Sequence, residues 1–331
     1  MDPSRGRIGG MKDASRYHPL DLSRVRRHSI HDSARKVSSR DQAAVTEPSP
    51  ELRRFLMNLP GILAGREFRE FLEEAGRRRA AGQPLLIMYG GHVVKCGLTP
   101  LLVDLMERRY VAALATNGSG AIHDVEMALF GRTSEDVVEG LNDGTFGMVR
   151  ETGDFFHAAL REGRGEGYGE VLGRRLAGAS PDPAVPSILA AGHRLGIPVT
   201  VHVAIGTDIT HQQPDLPAAE LGEASYRDFR ILCGVLSGMD RGGVVINLGS
   251  AVVLPEVFLK ALTVVRNLGF AARDIVTANF DMLQHYRPRV NVVDRPTRLG
   301  GRGFNFTGHH ELLVPLLHAG LRCQAEIEAE R

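Results

Sequence analysis

Lysine is scarce in this chain. Of its 40 basic residues only Lys12, Lys36, Lys95 and Lys260 are lysines, and the rest are arginines. A lysine amine is the usual imine-forming nucleophile, and an arginine guanidinium, protonated throughout the working pH range, does not replace it. Cysteine is also sparse. Cys96, Cys233 and Cys323 are scattered and match neither a disulfide framework nor a CxxC metal motif, a usage that suits a reducing compartment. No apolar run approaches the ~20 residues of a membrane span. The opening MDPSRGRIGGMKD lacks the apolar core of a signal peptide, so a cytoplasmic location without membrane contact is expected. No charge of either sign is in excess. The formal net charge is +1, which removes the electrostatic argument for a nucleic-acid partner.

What is present is ordinary globular material. With 331 residues, 43% of them hydrophobic, the chain can build a substantial core. Residues 1 to about 48 are polar, rich in Arg and Ser, and without sustained periodicity. They read as a solvated extension that packs on a neighbour. The competing reading, a basic arm carrying Arg24, Arg26 and Arg27, lacks interleaved aromatics. From residue 49 to 331 the pattern is that of one α/β domain. Segments PLLIMYG, YVAALATN, IPVTVHVAIG, GGVVINLGS and DIVTANFD read as five buried strands, being short apolar runs without alternation. Helical patterns separate them, residues 133–177 are helical excursions, and a last helix begins near His309. This succession predicts a Rossmann-like parallel sheet covered by helices on both faces.

In such a sheet ligands sit beyond the carboxyl ends of the strands. Those ends read Tyr89-Gly90-Gly91-His92, Thr116-Asn117-Gly118-Ser119-Gly120, Gly206-Thr207-Asp208, Leu248-Gly249-Ser250 and Asn279-Phe280-Asp281. Glycines there let backbone amides approach a phosphate closely, although the same residues also make plain tight turns. Neither GxGxxG nor a P-loop occurs. Lys95 either pairs with a phosphate or is exposed. Asp124 either orients its turn, accepts from a ribose, or caps a helix dipole. His202, Asp208 and His211, with His123 and Asp124 nearby, form an alternative metal set, against which His202 reads as a mid-strand core histidine.

The order of these segments resembles deoxyhypusine synthase. The likeness rests on Gly91-His92-Val93-Val94-Lys95-Cys96-Gly97, on Ala115-Thr116-Asn117-Gly118-Ser119-Gly120 followed by Asp124, on Ile197-Pro198-Val199 leading to Asp208, on Val245 through Ser250, and on Asp274 through Asp281. It spans roughly residues 52 to 325. The resemblance implies a homotetramer that binds NAD and passes an aminobutyl group through a lysine imine. Together with the strand-end reading it places cofactor contacts at Gly90, Gly91, Lys95, Gly97, Thr116, Asn117, Gly118, Ser119, Asp124, Gly249, Ser250, Ala251 and Asn279, and by position the resemblance adds Asp208 and the stretch to Asp281. The chain departs from that family at Ile122-His123, which replace paired glutamates. It has no Trp, and no Lys after Lys260, where the family carries its imine-forming lysine. The expectation is therefore an NAD-binding, deoxyhypusine synthase-like enzyme with altered chemistry on a small, amine or polyamine substrate. Its acid–base candidates are His123, Asp208, His211 and Asp281, with His309 in reserve. A non-catalytic ligand-binding regulator and a metal-dependent hydrolase are the alternatives.

Overall fold

The computed structural model describes residues 19–179 and 182–329. Its centre is a six-stranded sheet in which every pairing is parallel. Two short strands, β1 (Val37–Ser38) and β4 (Arg132–Thr133), form a separate antiparallel pair. The sheet strands are β2 (Leu85–Tyr89), β3 (Ala113–Asn117), β5 (Val199–His202), β6 (Gly243–Leu248), β7 (Ile275–Asp281) and β8 (Arg302–Thr307). Their spatial order is β5-β3-β2-β6-β7-β8. The chain starts at the centre, builds outward through β3 and β5, then returns to build β6, β7 and β8 on the other side. That is the doubly wound arrangement, and its direction reverses between β2 and β6.

Both sheet faces are covered, which is why the strands read as continuous apolar runs. On β2, Leu85, Ile87 and Tyr89 enter one core, while Leu86 and Met88 enter the other. The first core is closed by α2 (Leu63–Ala80), α4 (Thr99–Glu107), α5 (Gly118–Phe130), α7 (Arg150–Glu162), α8 (Tyr168–Gly178), α9 (Ile188–Leu195) and α12 (His310–Ala329). The second is closed by α10 (Ala218–Ser237) and α11 (Val253–Asn267). Three further helices, α1 (Pro50–Met57), α3 (Gly91–Lys95) and α6 (Val137–Asp143), are short.

Six strands replace the expected five. The added one, β8, lies in Gly-rich sequence that reads as loop, yet Phe304 and Phe306 both point into the core. They join Phe68, Phe71 and Phe280 in an aromatic cluster, edge-to-face where Phe71 meets Phe280 and Phe304 and tilted at 31° between Phe280 and Phe306, that pins the sheet edge under α2.

Residues 19–48 correct the expectation of a solvated arm. Ile30 is fully buried, and Ser29 Oγ and the Ile30 amide both donate to Glu151 on α7. The Ala43 amide donates to Gly97 O. One buried isoleucine and a strand pairing are enough to seat this segment on its own chain. Lys12 lies outside the described residues. Among the described residues no helix is long and apolar enough to cross a membrane.

Candidate functional site

A cleft of about 230 Å³ opens at the carboxyl ends of β2, β3 and β5. Lys95, Ser119, His123, Glu126, Glu135 and Asp208 line it. Lys95 ends α3, and Ser119 and His123 stand on the first turns of α5. Asp208 comes from the loop after β5, which carries its carboxylate across the start of α5. A Cβ on Gly118 would collide with that carboxylate, so only glycine leaves it room.

Asp208 has a side chain only 8% exposed, and burial pushes its pKa up to about 6. Beside it, His211 Nδ1 accepts from the Gly206 and Asp208 amides at 3.1 and 3.3 Å. The ring proton therefore sits on Nε2, which is buried without a partner, 3.7 Å from Asp208 Oδ2. An acceptor and a donor face one another.

His123 is held differently. Thr133 Oγ1 donates to Glu126 Oε2 at 2.6 Å, so that hydroxyl accepts from His123 Nδ1 at 2.7 Å. Nε2 is left as the lone-pair nitrogen. Burial, reinforced by Lys95 and His92, pushes this imidazole down to about 3. His123 is thus a fixed, neutral acceptor. Glu126, which also accepts from Thr152 Oγ1 at 2.8 Å, is itself pushed up by burial.

Other expected contacts are committed elsewhere. Asp124, fully buried, accepts from Ser187 Oγ and from the Ile188 and Leu189 amides, and so caps α9 rather than facing the cleft. Thr116 Oγ1 donates to Tyr89 O, and Asn117 Oδ1 caps α5 through the Gly120 amide. Gly97 packs under the backbone of Asp41 and Gln42. Gly90 backs onto Gly249 O, and Gly91 onto Ser119 and His123. The closeness of these turns comes from packing within the chain.

The β6 and β7 tips are closed. Gly249 adopts φ +66° and lies beneath the His310 ring, which bonds Phe280 O at 3.1 Å. Asn247 Nδ2 donates to Ser250 O and Asn279 Oδ1, while Asn279 Nδ2 donates to Gln284. Ser250 and Asn279 are buried, Ala251 beyond them is half-buried, and Asp281 is 6% exposed. These residues brace the sheet end and do not line the cleft.

The histidine–aspartate metal set is not assembled. His202 is buried with Nε2 bonded to Thr200 Oγ1 at 2.9 Å, and burial pushes it down to about 3. It is a core histidine. Among the described residues the group spaced to hold an ion is His92, Cys96 and Glu311. Sequence reading missed this trio, although His92 and Cys96 stand four apart, because Glu311 lies 215 positions from Cys96. It also missed Glu126, whose signal was its place one turn after His123 on α5.

No family model matches the chain, and no curated protein matches it. Among solved structures it is similar to a conserved LOR/SDH-type protein from Methanococcus maripaludis S2, at 16% identity and TM-score 0.47, over 85% of this chain and 71% of that one. It is similar to AgrE in a ternary complex with ornithine and NAD+, at 15% identity and TM-score 0.47, over 86% of this chain. The chain spans about a third of that protein, 34% of its length. It is also similar to a candidate deoxyhypusine synthase from Entamoeba histolytica, at 12% identity and TM-score 0.48, over 76% of this chain and 86% of that one.

Proposed function

We propose that this protein is a deoxyhypusine synthase-like, NAD-dependent enzyme that oxidises a small amine in the cleft beside Asp208. The observation that carries this reading is the nearly buried Asp208 carboxylate, which lines the same cleft as His123. Three carboxylates and one lysine line the cleft, and of the three Glu135 is already paired with Arg35 at 3.2 Å. The acceptor on Asp208 fits a ribose hydroxyl or an ammonium, and Lys95 fits a phosphate.

A bound nicotinamide would supply hydride acceptance from the carbon that bears the amine. The chain's own residues prepare that carbon. Asp208 binds the ammonium and, with its pKa raised toward neutrality, takes the proton that must leave before an imine can form. His123, too weak a base for that step, holds the nitrogen by accepting a hydrogen bond at Nε2. Burial excludes water and strengthens both contacts. Since the chain has no lysine in the family's C-terminal position, transfer through an enzyme-bound imine there is not part of this reading.

Calorimetric titration with NAD+, NADH and a panel of diamines and basic amino acids tests it. Micromolar to millimolar cofactor affinity and amine-dependent NADH formation are expected. No cofactor binding at millimolar concentration overturns the reading. Cofactor bound but reduced by no amine favours a non-catalytic binding protein. The homotetramer implied by the resemblance is tested by light scattering.

A further inference from the structure

α3 has a second functional face. Lys95 leaves it toward the cleft, whereas His92 and Cys96, four residues apart, leave it together toward α12. His92 Nε2 and Cys96 Sγ are 3.3 Å apart, and Cys96 Sγ is 3.8 Å from Glu311 Oε2 in the first turn of α12. All three donor atoms lie within 4.8 Å of one another. His92 and Glu311 are exposed and Cys96 is half-buried, so none is consumed by the core. Behind them sits His310, its ring edge-on to His92 at 5.5 Å, buried, with Nδ1 lacking a partner.

We propose that His92, Cys96 and Glu311 form a binding site for one divalent transition-metal ion, zinc by donor preference. The chemistry of the donors argues for this. Imidazole nitrogen, thiolate sulfur and carboxylate oxygen together are a zinc set, while calcium and magnesium take oxygen and do not favour sulfur. So does the geometry. Tetrahedral zinc with bonds of about 2.0–2.3 Å holds its ligand atoms roughly 3.5 Å apart. The observed 3.3 and 3.8 Å bracket that spacing, and the remaining pair, His92 to Glu311, lies within 4.8 Å. Binding replaces the Cys96 thiol proton with the metal and releases that proton to solvent. Three protein ligands leave the fourth position to water, the arrangement of a zinc ion that can still take part in chemistry. The site stands at the sheet's carboxyl edge, across α3 from the cleft.

The test is titration of the chelator-treated full chain with cobalt(II), followed by zinc(II). The expected result is one equivalent of a near-ultraviolet thiolate-to-cobalt band, bleached by one equivalent of zinc. The band disappears in C96S and persists in C233S, and H92Q and E311Q each weaken binding by at least ~10-fold. Absence of the band in the unmodified chain at millimolar cobalt overturns the site, as does a band that survives C96S. Should C96S fail to fold, E311Q decides, because its exposed side chain is dispensable for folding. Unchanged affinity in E311Q refutes the three-ligand site. The titration uses neither cofactor nor amine, so its failure leaves the proposed amine oxidation untouched.

Discussion

The tips of β2, β3 and β5 enclose space, while those of β6, β7 and β8 are filled by their own side chains. Both halves carry the same kinds of residue. On the open side Asp208 lies against Gly118, and His211 Nε2, buried without a hydrogen bond, stands 3.7 Å from its carboxylate. On the closed side Gly249 receives a histidine ring, and Asn247, Asn279 and Gln284 bond one another. A glycine followed by a polar residue therefore has two meanings. Where such groups pack on one another they build an end wall, although Asn247 Oδ1 and His310 Nδ1 stay unpaired within it, and where the fold leaves space beside them a ligand can complete the set.

Breaking the anchor of the open half should have the largest effect. Asp124→Ala removes three hydrogen bonds from a fully buried carboxylate and frees the start of α9. A loss of roughly 3–5 kcal/mol in urea unfolding is expected. A loss below about 1 kcal/mol would mean that α9 holds its place without this cap.

Asp208→Asn sharpens the contrast because function and stability should move in opposite directions. Burial raises this carboxyl from 3.8 to about 6, so the folded state holds the proton more tightly than the unfolded state. The favourable contribution is complete below about pH 4 and disappears as pH rises through about 6. Asparagine never ionises. The variant should therefore match the parent near pH 4 and exceed it by up to roughly 3 kcal/mol at pH 8, the linkage value of such a shift. Amine oxidation should fall by about 100-fold or more. Equal stability of the two proteins at pH 8 would remove Asp208 from the set of strained functional groups.

On the closed side, Gly249→Ala places a Cβ 2.7 Å from the His310 ring at a residue with φ +66°. A cost of roughly 2 kcal/mol in thermal or urea unfolding is expected, with no direct change at the cleft. A marked loss of cofactor affinity in this variant would show that the two halves are not separable. The smallest effect should come from Lys95→Ala, which is expected to weaken NAD binding about tenfold at low salt and less at high salt. Calorimetry at two ionic strengths checks both parts.

Much of the architecture was legible. Five of six sheet strands and the helices between them follow from apolar runs and turn residues, because a strand buried on both faces has no choice but to be apolar. β8 was hidden because Gly300, Gly301 and Gly303 read as turn and only Phe304 and Phe306 carry the strand signal. The segment before residue 49 was misread for a related reason. Its one buried anchor, Ile30, has no periodic neighbours. At the site, Lys95, Ser119, His123 and Asp208 were named from the chain and meet in one cleft. Asp124, Ser250 and Asn279 were named by the same logic and turned inward. Residue type and strand-end position are equal for both groups, so sequence could not separate them.

The chain by itself determined the layer structure and the list of candidate polar groups, since hydrophobic pattern and turn chemistry act over a few residues. Tertiary structure alone decided which of those groups have partners. The bond that Asp124 makes lies 63 to 65 positions away, and Glu311 reaches Cys96 across 215. Whether a buried donor or acceptor is satisfied depends on atoms brought together by the whole fold. Whether the fold leaves open space beside those groups is what separates scaffold from site in this protein.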